Sequence, residues 1–328
     1  MSAQIVVLGA GAFGTALANQ AAHNGARVIL WARDKGHVTE MQEARENARR
    51  LPGVTLAPSV EPGSDLACLR DADVVLAATP AQALREIARA AAAFSREGAD
   101  WLICAKGIER GTHAFLSDIV AAELPGANAS VLSGPSFAED IAAGLPTAIT
   151  LAAPDADRAE RLGRLFDSPA FRLYRSTDVR GAEIGGAAKN VLAIACGIAA
   201  GRKLGASAVA ALTARGFAEL SRFGRAFGAH PETLMGLSGL GDLVLTCSSL
   251  QSRNFAFGHA LGRGLSLAEA AGGKLAEGAF TARALVELAA ERNVEMPICA
   301  VVDAIVSGQV GVDAAIESLL MRPKKSEV

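Results

Sequence analysis

The sequence predicts a doubly wound, mostly parallel α/β sheet followed by an all-helical second domain, and three observations carry that prediction. Short apolar runs alternate with helical stretches through the first 180 residues, the pattern of strand–helix–strand units. The first of these runs passes directly into a glycine cluster that opens a helix. Beyond residue 180 the two-residue periodicity stops and helical spacing takes over, so the domains are read as 1–180 and 181–328. A chain of 328 residues is too long for one compact core, which suits the division.

Gln4-Ile-Val-Val-Leu8 reads as a buried parallel strand and runs into Gly9-Ala-Gly11-Ala12-Phe13-Gly14 and a helical segment. This is the dinucleotide fingerprint in its required setting. Gly9 permits the tight turn, Gly11 lets the backbone approach a pyrophosphate, and Gly14 lets the helix pack on the strand. The helix N-terminus then offers N–H groups and a positive dipole end to phosphates, so the sheet is expected to be Rossmann-like. The second strand, Arg27 to Trp31, is followed by Ala32, Arg33 and Asp34. Arg33 comes first and suits the 2′-phosphate of NADP; Asp34 keeps NAD in play, and a solvated loop charge is the bland reading of Arg33.

Residues 35–50 read as a polar helix. Further strands are expected at residues 73–79, 101–105, 128–132, 147–151 and 171–174, with a helix over 81–94. Lys106 lies just past the carboxyl end of one strand, where doubly wound sheets bind ligands; a solvated loop lysine is the alternative. Ser133-Gly134-Pro135-Ser136 forms a turn, and Ser136 reads as a cap for a helix starting near Phe137.

The second part is organised around Glu183-Ile-Gly185-Gly186-Ala-Ala-Lys189-Asn190 and the apolar residues after it. Ile184, Ala188, Val191, Leu192 and Ala195 recur at helical spacing, so Lys189 stands on a largely apolar helix. The paired glycines cost helix propensity and imply the close approach of another backbone or a ligand. A lysine stripped of hydration there has a lowered pKa and suits proton transfer; at the rim of a core helix it is merely structural. Gly236 to Thr246 reads as a tight, glycine-rich loop in which Asp242 needs a cation or donors, Lys189 being one candidate. Ser252-Arg253-Asn254 combines a hydroxyl, a guanidinium and an amide, a set suited to a phosphate or to a solvated helix start.

Composition narrows the classes. The net charge of −2 argues against nucleic-acid or membrane-surface binding by bulk electrostatics, while a local basic pocket stays open. Five scattered cysteines make no Cys-x-x-Cys pair and none lies at metal-ligand spacing from a histidine, so no metal site and a reducing cytoplasm are expected. The N-terminus carries no basic leader with a signal-type apolar run. The longest apolar stretch, residues 191–200, is too short for a bilayer, so no membrane insertion is expected. The five histidines are isolated and assigned to the surface, and the Ala-rich helices offer a face for a homodimer.

Taken together, these blocks resemble the bacterial-type NAD(P)-dependent glycerol-3-phosphate dehydrogenases. The matching stretches are Gly9 to Ala18, Ala105-Lys-Gly-Ile-Glu109, Ser133 to Ala138, Glu183 to Asn190, Gly236 to Thr246, Ser252-Arg253-Asn254 and Ala276-Glu277-Gly278, in family order and over nearly the whole chain. The resemblance implies reversible reduction of dihydroxyacetone phosphate to sn-glycerol 3-phosphate for phospholipid synthesis. It makes Lys189 the proton-transferring residue, with Lys106 and Asp242 beside it. It places Gly134, Ser136, Asn190, Thr246, Ser252, Arg253 and Asn254 with them at the substrate. Gly9, Gly11, Ala12, Phe13, Gly14, Arg33, Lys106, Ala138, Arg253, Leu275 and Glu277 match the family's cofactor contacts. Ala12 departs from the serine often found there and removes one hydroxyl. Two rival readings are another two-domain hydroxyacid dehydrogenase and a dinucleotide-sensing protein without turnover.

Overall fold

The structure, a computed structural model, describes residues 3–273 and 276–323. Its eight strands are β1 (Gln4–Leu8), β2 (Arg27–Trp31), β3 (Val60–Gly63), β4 (Val74–Ala77), β5 (Asp100–Ile103), β6 (Asn128–Ser133), β7 (Thr147–Ala152) and β8 (Phe171–Ser176). They form one sheet in the order β3-β2-β1-β4-β5-β6-β7-β8. The first six are parallel in the doubly wound order; β7 runs antiparallel to β6, and β8 parallel to β7. The periodicity predicts no strand at β3, because Pro62 interrupts it. The strand survives because it is an edge, where a missing N–H costs no ladder bond.

Alternate residues of each strand face opposite layers. Ile5, Val7, Leu30 and Leu76 pack towards α1 (Ala12–His23) and α2 (Lys35–Ala44). Val6, Leu8, Val75 and Trp101 pack towards α3 (Leu84–Ala91) and α4 (Leu116–Glu123). The helix expected over 35–50 stops at Ala44, where Arg45 turns left-handed at φ 51°. The one over 81–94 begins as a 3-10 turn at Ala81–Ala83. The short α5 (Ala138–Ala142) packs on α1, and α6 (Ala156–Gly163) precedes β8.

After β8 the chain is helical: α7 (Val179–Gly201), α8 (Ala206–Ala226), α9 (Pro231–Met235), α10 (Asp242–Ser248), α11 (Arg253–Gly262), α12 (Leu267–Ala271), α13 (Glu277–Glu291), α14 (Pro297–Val306) and α15 (Val312–Leu320). Asp178 caps α7 by accepting from the Gly181 N–H at 2.8 Å. At 23 residues α7 is long and apolar enough to cross a membrane, which corrects the shorter apolar length read from the sequence. It is instead the central helix of the second core: 89% of its most apolar window is buried inside the protein.

Two glycine pairs explain how α11 lies so close to α7. A Cβ on Gly197 would stand 2.2 Å from the Phe255 carbonyl oxygen, and one on Gly258 2.1 Å from that of Ile194. Gly201 and Gly262 repeat the arrangement one turn on, so both helices present small residues at i, i+4 along one face.

Two sequence expectations change here. The stretch expected as a tight loop before Asp242 is a π-helical turn, Leu237–Gly241, continuous with α10. Gly239 is needed there because a Cβ on it would meet the Leu234 carbonyl oxygen at 1.9 Å. The histidines are not all superficial: His37 is buried and its Nε2 lies 2.8 Å from the Asn47 amide oxygen.

Candidate active site

The carboxyl ends of β1, β5 and β6 open on one cleft, whose far wall is α7 with α10. Lys106 follows β5, Gly134 follows β6, and Lys189 lies midway along α7. Asp242 joins them. Its Oδ1 accepts from Lys189 Nζ at 2.6 Å and its Oδ2 from Lys106 Nζ at 2.6 Å. Lys189 also donates to Thr246 Oγ1 at 2.8 Å, and Lys106 to the Gly134 carbonyl at 3.1 Å. Thr246 is one turn beyond Asp242 on α10, so the helical turn that replaces the expected loop is what aims both side chains at Lys189.

The electrostatics follow from burial. Lys189 is 8% exposed and Asp242 1%. Burial pushes the Lys189 ammonium down to about 8, Lys106 adds repulsion, and Asp242 opposes both. Burial by itself would raise the Asp242 carboxyl, but the two ammoniums outweigh it and hold the group below its ordinary 3.8. One carboxylate thus keeps two cations together in a cleft, with one of them poised near neutrality.

Backbone geometry fixes the surroundings. Gly134 has φ +154°, and a Cβ there would stand 2.9 Å from Ile149 Cα, so only glycine turns the chain so that its carbonyl meets Lys106. Ser136 does not cap a helix: the N-cap of α5 is Phe137, and the Ser136 hydroxyl donates to the Gly134 carbonyl at 3.2 Å. Asn190 Nδ2 reaches the Lys106 carbonyl at 3.5 Å, and Asn254 Nδ2 donates to Asn190 Oδ1 at 2.9 Å. Ser252 caps α11 by accepting from the Phe255 N–H at 3.3 Å, and leaves Arg253 exposed in its first turn.

On the sheet side, Gly9 adopts φ +117°, and a Cβ would come 2.7 Å from the Ala78 carbonyl oxygen. Gly14 packs α1 onto that turn, its Cβ position 2.1 Å from the Gly9 carbonyl oxygen. Above Gly11 there is no atom within 4 Å of a Cβ position, and no side chain caps α1. Ala12 and Phe13 form its half-buried first turn, with Ala138 beside them. Arg33 projects into solvent with a side chain 78% exposed, 3.8 Å from Glu86. Asp34 is engaged in capping α2 through the Gly36 and His37 amides and in pairing with Arg49.

The family models for the N-terminal and C-terminal parts of NAD-dependent glycerol-3-phosphate dehydrogenase match residues 4–159 and 178–317. The chain belongs to that family. A glycerol-3-phosphate dehydrogenase named for NAD(P)+ from Azorhizobium caulinodans is 60% identical over 99% of this chain and 98% of its own length. One from Rhodopseudomonas palustris is 57% identical over 98% of each. The crystal structure of glycerol-3-phosphate dehydrogenase from Coxiella burnetii superposes with a TM-score of 0.94 at 38% identity, covering 98% of this chain and 99% of that one.

The dehydrogenase has a glycine turn and first helix that fit the family's cofactor. Open space over Gly11 meets an uncapped helix N-terminus, an arrangement suited to a pyrophosphate. Glu277, at the start of α13, accepts from the Ala81 N–H at 3.2 Å and ties the helical part to the sheet at this cleft. Leu275 lies outside the described residues. Among the described residues no group of three or more metal-ligating side chains occurs. Sequence reasoning missed the partners made by backbone. Gly278 N–H donates to Asn254 Oδ1 at 2.8 Å, and Ala81 N–H to Glu277; an amide donor leaves no mark in residue type.

Proposed function

We propose that this cleft reduces dihydroxyacetone phosphate to sn-glycerol 3-phosphate, reversibly, with Lys189 as the proton-transferring residue. The observation that carries the reading is the Lys189–Asp242–Lys106 cluster, with Lys189 and Asp242 buried and Lys106 half-buried, at the mouth of a dinucleotide fold. When bound along Gly9, Gly11, Ala12, Phe13, Gly14 and Ala138, NAD(P)H supplies the hydride. As negative charge builds on the ketone oxygen, the Lys189 ammonium stabilises it and hands over its proton; in reverse, the neutral amine takes the proton back. An ammonium held near 8 can do both near neutral pH.

Asp242 keeps Lys106 and Lys189 within reach of one substrate oxygen and orients Lys189 together with Thr246. Lys106 serves as a second positive charge at the carbonyl. Gly134, Ser136 and Asn190 line the substrate's side of the cleft. Arg253, with Ser252 and Asn254, grips the phosphate, and that remote binding energy holds the ketone for reaction. Arg33 reads the 2′-phosphate and favours NADPH, while Arg253, Lys106 and Glu277 complete the cofactor's surroundings. A division at 180, with the second domain from 181, is part of this reading; the end of the sheet at Ser176 and the start of α7 at Val179 support a change of architecture close to it.

The five described cysteines are all free thiols, which supports a cytoplasmic enzyme; its product would supply the backbone of phospholipids. A homodimer through the Ala-rich helices completes the reading, and light scattering tests it. The function is tested by following NADPH loss with dihydroxyacetone phosphate, unphosphorylated ketones and keto acids. Rapid loss with the phosphorylated ketone alone is expected. Preference for a keto acid would instead make the chain a hydroxyacid dehydrogenase, and no turnover with any of them would favour a sensor.

A further inference from the structure

Glu109 closes the stretch that follows β5, yet nothing in the mechanism uses it. Its carboxylate is nearly buried and receives Arg85 of α3 in a fork, Nε to Oε1 at 2.8 Å and Nη2 to Oε2 at 2.7 Å. Arg85 is itself held by Glu123 of α4 at 2.6 Å. Gln82 brackets the same residue along the backbone, donating to the Ile108 carbonyl at 2.9 Å and accepting from the Arg110 N–H at 3.0 Å. Gly107 is wedged, its Cβ position 2.9 Å from Ala81 Cβ and 3.3 Å from Thr281 Oγ1.

The other side of the segment belongs to the helical part. Ile108 and Phe115 pair across a β-bridge and are buried in the core built around α7. Arg110 lies over the Phe280 ring at 5.4 Å, and His113 Nε2 lies 2.6 Å from Glu287, both on α13. The segment is thus fastened to the sheet side by polar clamps and to the helical side by the buried Ile108–Phe115 pair, a cation–π contact and the His113–Glu287 contact. It begins one residue after Lys106, whose side chain reaches Asp242 across α7 at Gly186.

We propose that Glu109 and Gln82 are positioning residues for Lys106, holding the root of its side chain so that its ammonium meets Asp242 beside Lys189. A lysine stem is flexible, so a shift of its backbone changes where the charge sits. A misplacement on the order of 1 Å costs about 100-fold in rate. The proposal rests on the reading of Lys106 as a charge at the reacting carbonyl.

The test compares Gln82→Ala, Glu109→Gln and Lys106→Met by steady-state kinetics with dihydroxyacetone phosphate and NADPH across pH, with thermal melts alongside. Gln82 is only partly buried, so its variant folds even where the Glu109 change unsettles the loop. Lys189 faces Lys106, Asp242 and the Cys247 thiol, and Lys106 repels its proton. Losing that repulsion raises the pH at which reduction fails. Expected for Gln82→Ala and Glu109→Gln are a kcat/KM lowered by about tenfold or more and an alkaline limb moved to higher pH as in Lys106→Met, with a melt near the parent's for Gln82→Ala. Should the two loop variants keep an unmoved limb while Lys106→Met is impaired, positioning is overturned, whether or not their rates fall. If Lys106→Met itself behaves as the parent, the role of Lys106 fails first and the proposal falls with it.

Discussion

Lys106 crosses α7 at Gly186, where a Cβ would stand 3.2 Å from the lysine's Cγ. That contact gives the paired glycines of α7 their reason. Gly186 lets a side chain from the sheet pass over the helix, and Gly185 makes room for the Ser238 carbonyl, 2.3 Å from its Cβ position. A side chain at 186 would meet Ser133 Oγ, 2.9 Å from its Cβ position, and crowd the Lys106 stem.

Lys189→Ala should remove the proton donor and lower turnover by about 100- to 10,000-fold, with NADPH binding close to the parent's. Fluorescence titration of NADPH alongside steady-state rates checks both halves. Turnover near the parent's would take Lys189 out of the chemistry.

The pH profile has a stated sign. Lys189 must be protonated to reduce the ketone, so kcat/KM for reduction should hold below about 8 and fall above it; in the oxidative direction it should rise through about 8. Asp242→Asn removes the attraction that opposes burial and repulsion at Lys189, so the limb should move to lower pH and the rate should fall. A limb unmoved in that variant would separate it from Lys189.

Arg253→Ala should raise KM for dihydroxyacetone phosphate about 10- to 100-fold, the range of one charge-assisted contact. Activity on an unphosphorylated ketone should fall far less, by no more than Arg253 contributes to holding the cofactor. Equal losses on both substrates would mean that the guanidinium does not hold the phosphate.

Among the described residues Arg33 pairs with Glu86 at 3.8 Å, both side chains being mostly exposed, so its charge is available to a ligand at little cost. Arg33→Asp should move the ratio of NADPH to NADH kcat/KM several-fold towards NADH. An unchanged ratio would make it a surface charge.

Gly258→Ala should destabilise the fold in the upper part of the roughly 1–3 kcal/mol range for overpacking. The new methyl would strike a backbone carbonyl, which cannot rotate aside as a side chain can. A urea melt of the purified chain reads the loss; an unshifted midpoint would show that α11 can lift from α7 freely.

Periodicity and glycine spacing in the chain were enough to read the strand–glycine–helix entry at Gly9, the change of architecture near 180 and an apolar helix carrying Lys189, because these are local properties of a few adjacent residues. The edge strand at Val60–Gly63 was hidden by Pro62, since its pairing partner lies far off in the chain. The helical form of Leu237–Gly241 was hidden by glycines that serve packing rather than turning. Which cation Asp242 would take was undecided in the sequence, and the folded chain answers that it takes two. Lys106, Lys189 and Asp242 are separated by tens of residues, and only the docking of α7 and α10 against the sheet brings both ammoniums within one hydrogen bond of the carboxylate. Burial at that junction, a property of the assembled layers, brings the Lys189 ammonium down towards neutrality.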